Sequence, residues 1–240
     1  MLTPNSSDSI ALQKAVELPF GVVNIWFVEI DRFGPALQPL SEILSSDERE
    51  RAERFHFERD RKRFVTARVF LRRILGTSLG VEPHRVPFQY GPFGKPALGE
   101  DFKDSPVRFN MSHSHGCAIY AVTLGREVGV DLEFIRPLDD LLNLAERNFS
   151  VDENYVLRSL PEQDRRNGFF DCWTRKEAFL KATGDGLSFP LDHFDVSLLP
   201  GEGRRSLNLR GVPAEETAWT LISLNTDPAY AAALVVEGGE

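Results

Sequence analysis

Between Gly21 and Ile30 the chain runs through β-branched and aromatic residues, Val-Val-Asn-Ile-Trp-Phe-Val-Glu-Ile, and then meets Gly34-Pro35. That order predicts a buried strand closed by a turn. Ahead of it, the Ser/Asn-rich stretch to about Glu17 predicts a loose N-terminal extension, taken as residues 1–19. Ser45-Ser46-Asp47-Glu48 puts cap-type residues and acids at the start of a helix. Arginine is dense from Arg49 to Arg73, with acids interleaved up to Asp60 and none from Arg61 to Leu79. Phe64, Ala67, Phe70, Leu71 and Ile74 supply the apolar stripe of this cationic helix.

The Gly/Pro density from Glu82 to Asp104 predicts surface connection. Val107 to Met111 reads as a strand that breaks at Ser112-His113-Ser114-His115-Gly116 and resumes from Cys117 to Leu124. Glu127 to Phe134 is a further strand, in which Asp131 and Glu133 are two apart and face the same side. After Arg136-Pro137, Leu138, Leu141, Leu142, Ala145 and Phe149 fall at helical spacing on one face. Phe170 to Gly184 has good helix formers, no β-branched run and a terminal glycine, so it reads as one helix. Trp173, Glu177 and Lys181 share one of its faces.

Two stretches echo each other. Leu44-Ser-Ser-Asp-Glu48 resembles Phe149-Ser-Val-Asp-Glu153, and both precede helical regions ending at a glycine, Gly76 and Gly184. Thr66-Ala-Arg68 aligns with Thr174-Arg-Lys176. With strands around each long helix, this predicts an α+β protein of two similar halves, 20–110 and 111–240, meeting along a cleft.

Composition narrows the function. The 240 residues are 42% apolar with 18 Phe, enough for a substantial core. A net charge of −8 argues against a general nucleic-acid binder, so any bound anion must be held by local cations. The only cysteines, Cys117 and Cys172, lie in apolar runs and fit a reducing compartment. Neither a secretory leader nor an apolar run of membrane-spanning length is visible, and the expectation is a cytoplasmic protein with no membrane partner.

Each candidate group has a bland reading beside a chemical one. Glu177 and Lys181 fit a surface i,i+4 ion pair, or a carboxylate and an ammonium turned inward. Asp131 and Glu133 fit a solvated strand face, or a magnesium site, since adjacent carboxylates on an apolar strand repel without a cation between them. His113, taken alone, fits a residue that satisfies a turn through its ring nitrogens. Lys95, between Gly94 and Pro96, fits a loop lysine or a phosphate-side point charge held by a stiff turn. Ser112 and Ser114 lack the Gly-x-Ser-x-Gly context of a hydrolase nucleophile.

Gly94-Lys-Pro96, Phe109-Asn-Met-Ser-His-Ser114, Gly129-Val-Asp-Leu-Glu133 and Phe170-Asp-Cys-Trp-Thr-Arg-Lys-Glu-Ala-Phe-Leu-Lys181, with Gly184-Asp-Gly-Leu-Ser188 behind, occur in this order. Together they resemble the Sfp-type 4′-phosphopantetheinyl transferases, over roughly residues 20 to 235. The resemblance implies a pseudo-twofold monomer with coenzyme A between its halves. It also implies transfer of phosphopantetheine to a serine of an acyl or peptidyl carrier protein, releasing 3′,5′-ADP, in fatty-acid, polyketide or peptide synthesis.

By position, Asp131, Glu133 and Glu177 match the magnesium carboxylates, and Lys181 the pyrophosphate-side lysine. His113 and Arg51 match groups near the 3′-phosphate, and Ser112, Lys95 and Arg63 further coenzyme contacts. Glu177 is the expected base for the serine proton, directly or through a metal-bound water, the alternative being that it is only a metal ligand and a water takes the proton. Glu48 stands where some members have lysine, which puts one phosphate contact in doubt, and Met111 replaces a Leu or Ile without penalty. The implied carrier-docking surface includes the stripe after Pro137. A magnesium nuclease built on Asp131 and Glu133 leaves Gly-Lys-Pro and Lys-Glu-Ala-x-x-Lys unexplained, and a non-catalytic carrier-binding module has no use for three carboxylates.

Overall fold

A computed structural model describes residues 11–18, 21–33, 41–184, 186, 189–198, 204–206, 208–209 and 219–238. The Gly34-Pro35 turn and Asp185, Leu187 and Ser188 lie outside the described residues. The strand expected at Gly21 is β2 (Gly21–Glu29), and it pairs antiparallel with β1 (Ala11–Leu18), so residues 11–18 are sheet rather than loose extension. β5 (Val107–Ser114) and β6 (Cys117–Leu124) complete a four-stranded sheet in the order β1-β2-β6-β5. A second sheet contains β7 (Val128–Phe134), β12 (Tyr230–Glu237), β11 (Trp219–Ser223) and β9 (Arg204–Ser206), in that order, and β3 (Phe88–Tyr90) pairs with β4 (Pro96–Leu98) and β8 (Phe194–Asp195) with β10 (Asn208–Leu209) apart from both sheets. The chain passes from one sheet to the other between Leu124 and Val128, so residue 110 lies inside β5 rather than at a boundary.

Strand alternation builds the layers. On β6, Ala118, Tyr120 and Val122 face one core, with Ala67, Leu71, Ile74 and Leu75 of α2 (Glu58–Leu79). Cys117, Ile119 and Ala121 face the opposite way, onto Val128, Val130 and Leu132 of β7 and Ala232, Leu234 and Val236 of β12. The alternate residues of β12, Ala231, Ala233 and Val235, meet Ala178, Phe179 and Ala182 of α5 (Glu162–Thr183). Two sheets therefore pack face to face, each covered outside by a 22-residue helix. β7 turns Gly129, Asp131 and Glu133 toward α5, because Val130 and Leu132 are used between the sheets.

The sequence echo marks one local design used twice. α1 (Ser46–Glu53) starts at Ser45, whose backbone N–H donates to Glu48 at 3.1 Å. α4 (Val151–Ser159) starts at Ser150, whose backbone N–H donates to Glu153 at 2.8 Å. Each capping glutamate is buried and neutralised from the long helix, Glu48 by Arg68 and Arg72 and Glu153 by Lys176. Arg68 and Lys176 are the residues the aligned triplets pair. Glu48 is thus a structural carboxylate with its own buried cations.

Three boundaries differ from expectation. The arginine-rich segment is two helices, interrupted at 54–57 where Phe55 folds back onto Phe64 with ring centroids 5.3 Å apart. α2 ends at Gly80, in left-handed geometry at φ 68°, rather than at Gly76. Gly76 lies within the helix because the returning chain packs there; a Cβ would stand 2.8 Å from the Val81 carbonyl oxygen. Finally, the helix read after Pro137 is α3 (Leu141–Asn148), whose Leu141, Leu142 and Ala145 pack with Leu138 and Phe149 on the second core.

Candidate active site

β5 does not break at Ser112. Its alternate polar residues cross to β7: Asn110 Oδ1 accepts from Val130 N at 3.0 Å, Ser112 Oγ donates to Asp131 Oδ1 at 2.8 Å, and Ser114 Oγ donates to Glu133 Oε2 at 3.0 Å. Polar atoms that a turn would expose are instead satisfied along the neighbouring strand, so the strand continues to Ser114. Gly129 lets α5 lie directly on β7; a Cβ there would collide with Ala178 O and Ala182 N. That close approach brings Lys181 Nζ to 2.5 Å from Asp131 Oδ1 and 2.8 Å from Ser112 Oγ. Lys181 therefore pairs with a carboxylate on another element, and the surface pair with Glu177 is not what the structure shows.

Three carboxylates gather here. Burial raises the Glu177 pKa above the ordinary carboxylate value, and the negative charges of Asp131 and Glu133 add to the shift against the pull of Lys181. Glu133 is raised by burial and by Asp131, with Ser114 and Lys181 opposing. Asp131 is buried, and its Oδ2 has no hydrogen-bond partner. An orphaned carboxylate oxygen beside two carboxyls that resist ionisation fits a hard divalent cation with oxygen ligands. Among the described residues, no three acidic, histidine or cysteine side chains stand together in ligand geometry.

His113 points to the opposite side of β5, toward the arginines of α1 and α2. Its pKa is held below the ordinary histidine value, first by the loss of water around the ring, although the residue keeps part of its surface exposed. Lys181, Arg51 and Arg63 add positive charge in the same direction. Arg51 lines an 810 Å³ cleft, and Glu177, Lys181 and Lys95 line an adjoining 480 Å³ pocket. Phe93 and Gly94 form a wall of both, so an extended ligand can run from one to the other.

The remaining expected contacts already have protein partners. Arg63 is bidentate to Asp31 at 2.8 and 2.6 Å, which holds that carboxyl below its ordinary pKa. Lys95 Nζ donates to Ala182 O at 2.8 Å and Glu127 at 3.0 Å, tying the loop after β3 (Phe88–Tyr90) to the end of α5. The sequence did not reveal the cross-strand partners of Asn110 and Ser114, the close packing at Gly129, or Asp31 as the partner of Arg63. The alternating Asn-x-Ser-x-Ser of β5 carried a signal for the first two, since polar residues with period two in an apolar strand need partners on one face.

Two family models match the chain and meet where it passes from β6 to β7. Residues 35–124 match "4′-phosphopantetheinyl transferase, N-terminal", and residues 127–235 match the 4′-phosphopantetheinyl transferase superfamily. The chain is 44% identical over 216 residues to 4′-phosphopantetheinyl transferase HetI of Nostoc sp., covering 90% of this chain and 88% of HetI. It is 30% identical over 188 residues to 4′-phosphopantetheinyl transferase Sfp of Bacillus subtilis, covering 78% of this chain and 80% of Sfp. A solved holo-(acyl-carrier-protein) synthase from Bacillus anthracis is 19% identical, with a TM-score of 0.37, over 48% of this chain and 96% of its own. With nine-tenths of its length aligned to HetI at that identity, this protein belongs to the 4′-phosphopantetheinyl transferase family.

Proposed function

We propose that this transferase moves 4′-phosphopantetheine from coenzyme A to the serine hydroxyl of an apo acyl or peptidyl carrier protein, releasing 3′,5′-ADP, with coenzyme A held between two similar halves. The observation that carries the reading is the Lys181–Asp131–Ser112 cluster with its unsatisfied Asp131 Oδ2, whose Lys181 lines the pocket adjoining the cleft that Arg51 lines. Magnesium, held by Asp131, Glu133 and Glu177, would supply neutralisation of the pyrophosphate charge.

The chain's own residues do the rest. Arg51 and His113 hold the 3′-phosphate, the imidazole gaining a proton as the dianion arrives. Lys181 and Ser112 orient Asp131 and place an ammonium at the pyrophosphate. Arg63 and Lys95 keep their protein partners, and Lys95 lines the pocket beside Lys181. Glu177, with its raised pKa, accepts the proton from the serine Oγ as that oxygen forms its bond to the pantetheine-side phosphorus and the bond to the departing 3′,5′-ADP breaks. In this reading the enzyme works as a monomer in the cytoplasm. No described helix is long and apolar enough to cross a membrane.

The test is incubation with a purified apo carrier, coenzyme A and Mg²⁺, followed by intact-protein mass spectrometry. A carrier heavier by one phosphopantetheine, with 3′,5′-ADP released, is expected. Unmodified apo carriers of the fatty-acid, polyketide and peptide types overturn the reading.

A further inference from the structure

From Arg49 to Arg72 every arginine but one has a carboxylate or carbonyl partner. The exception is Arg51. Among the described residues its guanidinium has only the face of the Phe64 ring, 5.3 Å from the centroid. Arg51 is exposed on the rim of the 810 Å³ cleft, and its charge reaches His113. Phe64 is itself fixed: half-buried, seated against Phe55, and packed on the small core of Leu44, Ala52, Val65 and Val69. An unpaired arginine on a long flexible stem is poorly placed for a ligand unless something limits its rotamers. The ring face does so without neutralising the charge, as a carboxylate partner would.

We infer that Phe64 is a positioning residue that aims the Arg51 guanidinium at the phosphate bound beside His113. The inference rests on the 3′-phosphate assignment made under the proposed function. Phe64 touches no reacting atom. Its contribution passes through Arg51, so it favours coenzyme A over the analogue lacking the 3′-phosphate and leaves the chemical step alone.

The test compares KM for coenzyme A and for dephospho-coenzyme A in Phe64→Leu, Phe64→Tyr, Arg51→Ala and the Arg51→Ala, Phe64→Leu double variant. Phe64→Leu keeps an apolar side chain but no ring face. It is expected to raise the coenzyme A KM about two- to fivefold, the ratio for an exposed cation–π contact. Its kcat and its dephospho-coenzyme A KM stay at wild-type values, Phe64→Tyr restores wild-type behaviour, and Phe64→Leu adds nothing once Arg51 is gone. If Phe64→Leu does not fold, Phe64→Met is measured against the same outcomes. A KM that rises equally for both substrates, or effects that add in the double variant, shows a packing role and overturns the inference. An Arg51→Ala protein that keeps its full preference for coenzyme A overturns the phosphate assignment itself, and this inference with it.

Discussion

Replacing Gly129 by alanine adds one methyl group and removes no functional atom, yet it should disable the site. The new Cβ would lie inside the contact distance of Ala178 O and Ala182 N, and 2.9 Å from Ala182 Cα. Ordinary carbon contacts begin at about 3.5 Å, so α5 must retreat from β7 by roughly 1 Å. Lys181 is the residue before Ala182, and its ammonium stands 2.5 Å from Asp131. A retreat of that size takes the pair out of hydrogen-bond range and carries Glu177 away from Asp131. Overpacking of this kind costs about 1–3 kcal/mol, which for a chain of this size lowers Tm by roughly 2–12 °C. A 1 Å misplacement of reacting groups costs on the order of 100-fold in rate. Transfer to an apo carrier, followed by mass spectrometry at saturating coenzyme A, should fall by about that factor in Gly129→Ala, with a depressed Tm. Transfer within about threefold of wild type and an unchanged Tm would refute the claim that strand–helix contact sets the catalytic spacing.

Three further outcomes follow from the charges and surfaces. The His113 pKa lies below its ordinary value in the free protein and rises when the 3′-phosphate binds, so coenzyme A binding takes up a proton. Affinity by calorimetry should then fall as pH rises through neutrality for wild type and stay flat for dephospho-coenzyme A; matching slopes for the two ligands contradict this. Glu133 and Glu177 keep their protons to higher pH in the folded state than in the unfolded one, so without a divalent cation stability falls as pH rises above the ordinary carboxylate value of 4.5. Magnesium should therefore raise Tm more at pH 7 than at pH 5, and equal gains at both would place the ion elsewhere. The stripe from Leu138 to Phe149 is packed, but Leu144, Val151 and Tyr155 are exposed beside it, Tyr155 by 74%. Tyr155→Ser should raise the carrier KM severalfold while coenzyme A affinity and Tm hold; an unchanged carrier KM moves the docking surface off α4.

The chemistry was legible where residue type and spacing are themselves the signal. Asp131 and Glu133 share a strand face at any register, and Glu177 and Lys181 share a helix face wherever that helix packs. The capping glutamates were legible too, as a repeated Ser-x-x-Glu, though not their buried cations, which come from a helix 20 or more residues away. Pairings across elements were not legible. The serines of β5 read as a turn because serine and histidine favour turns, and only β7 lying alongside supplies the partners that keep them in a strand. Likewise, Arg63 and Lys95 read as free cations because Asp31 and the Ala182 carbonyl are distant in sequence. Gly76 read as a helix end because glycine so often is one, and its actual use, close packing of the returning chain, leaves no local trace.

The central claim is that the carboxylates around Asp131 carry out the transfer, and Glu177→Gln tests it most directly. The amide keeps the shape and removes both the charge and the proton acceptor. Single-turnover transfer to an apo carrier, measured with coenzyme A binding on the same preparation, should show transfer abolished and binding retained. Transfer within about tenfold of wild type, a barrier change near 1.4 kcal/mol, would contradict the account and leave Glu177 a structural neighbour of Lys181.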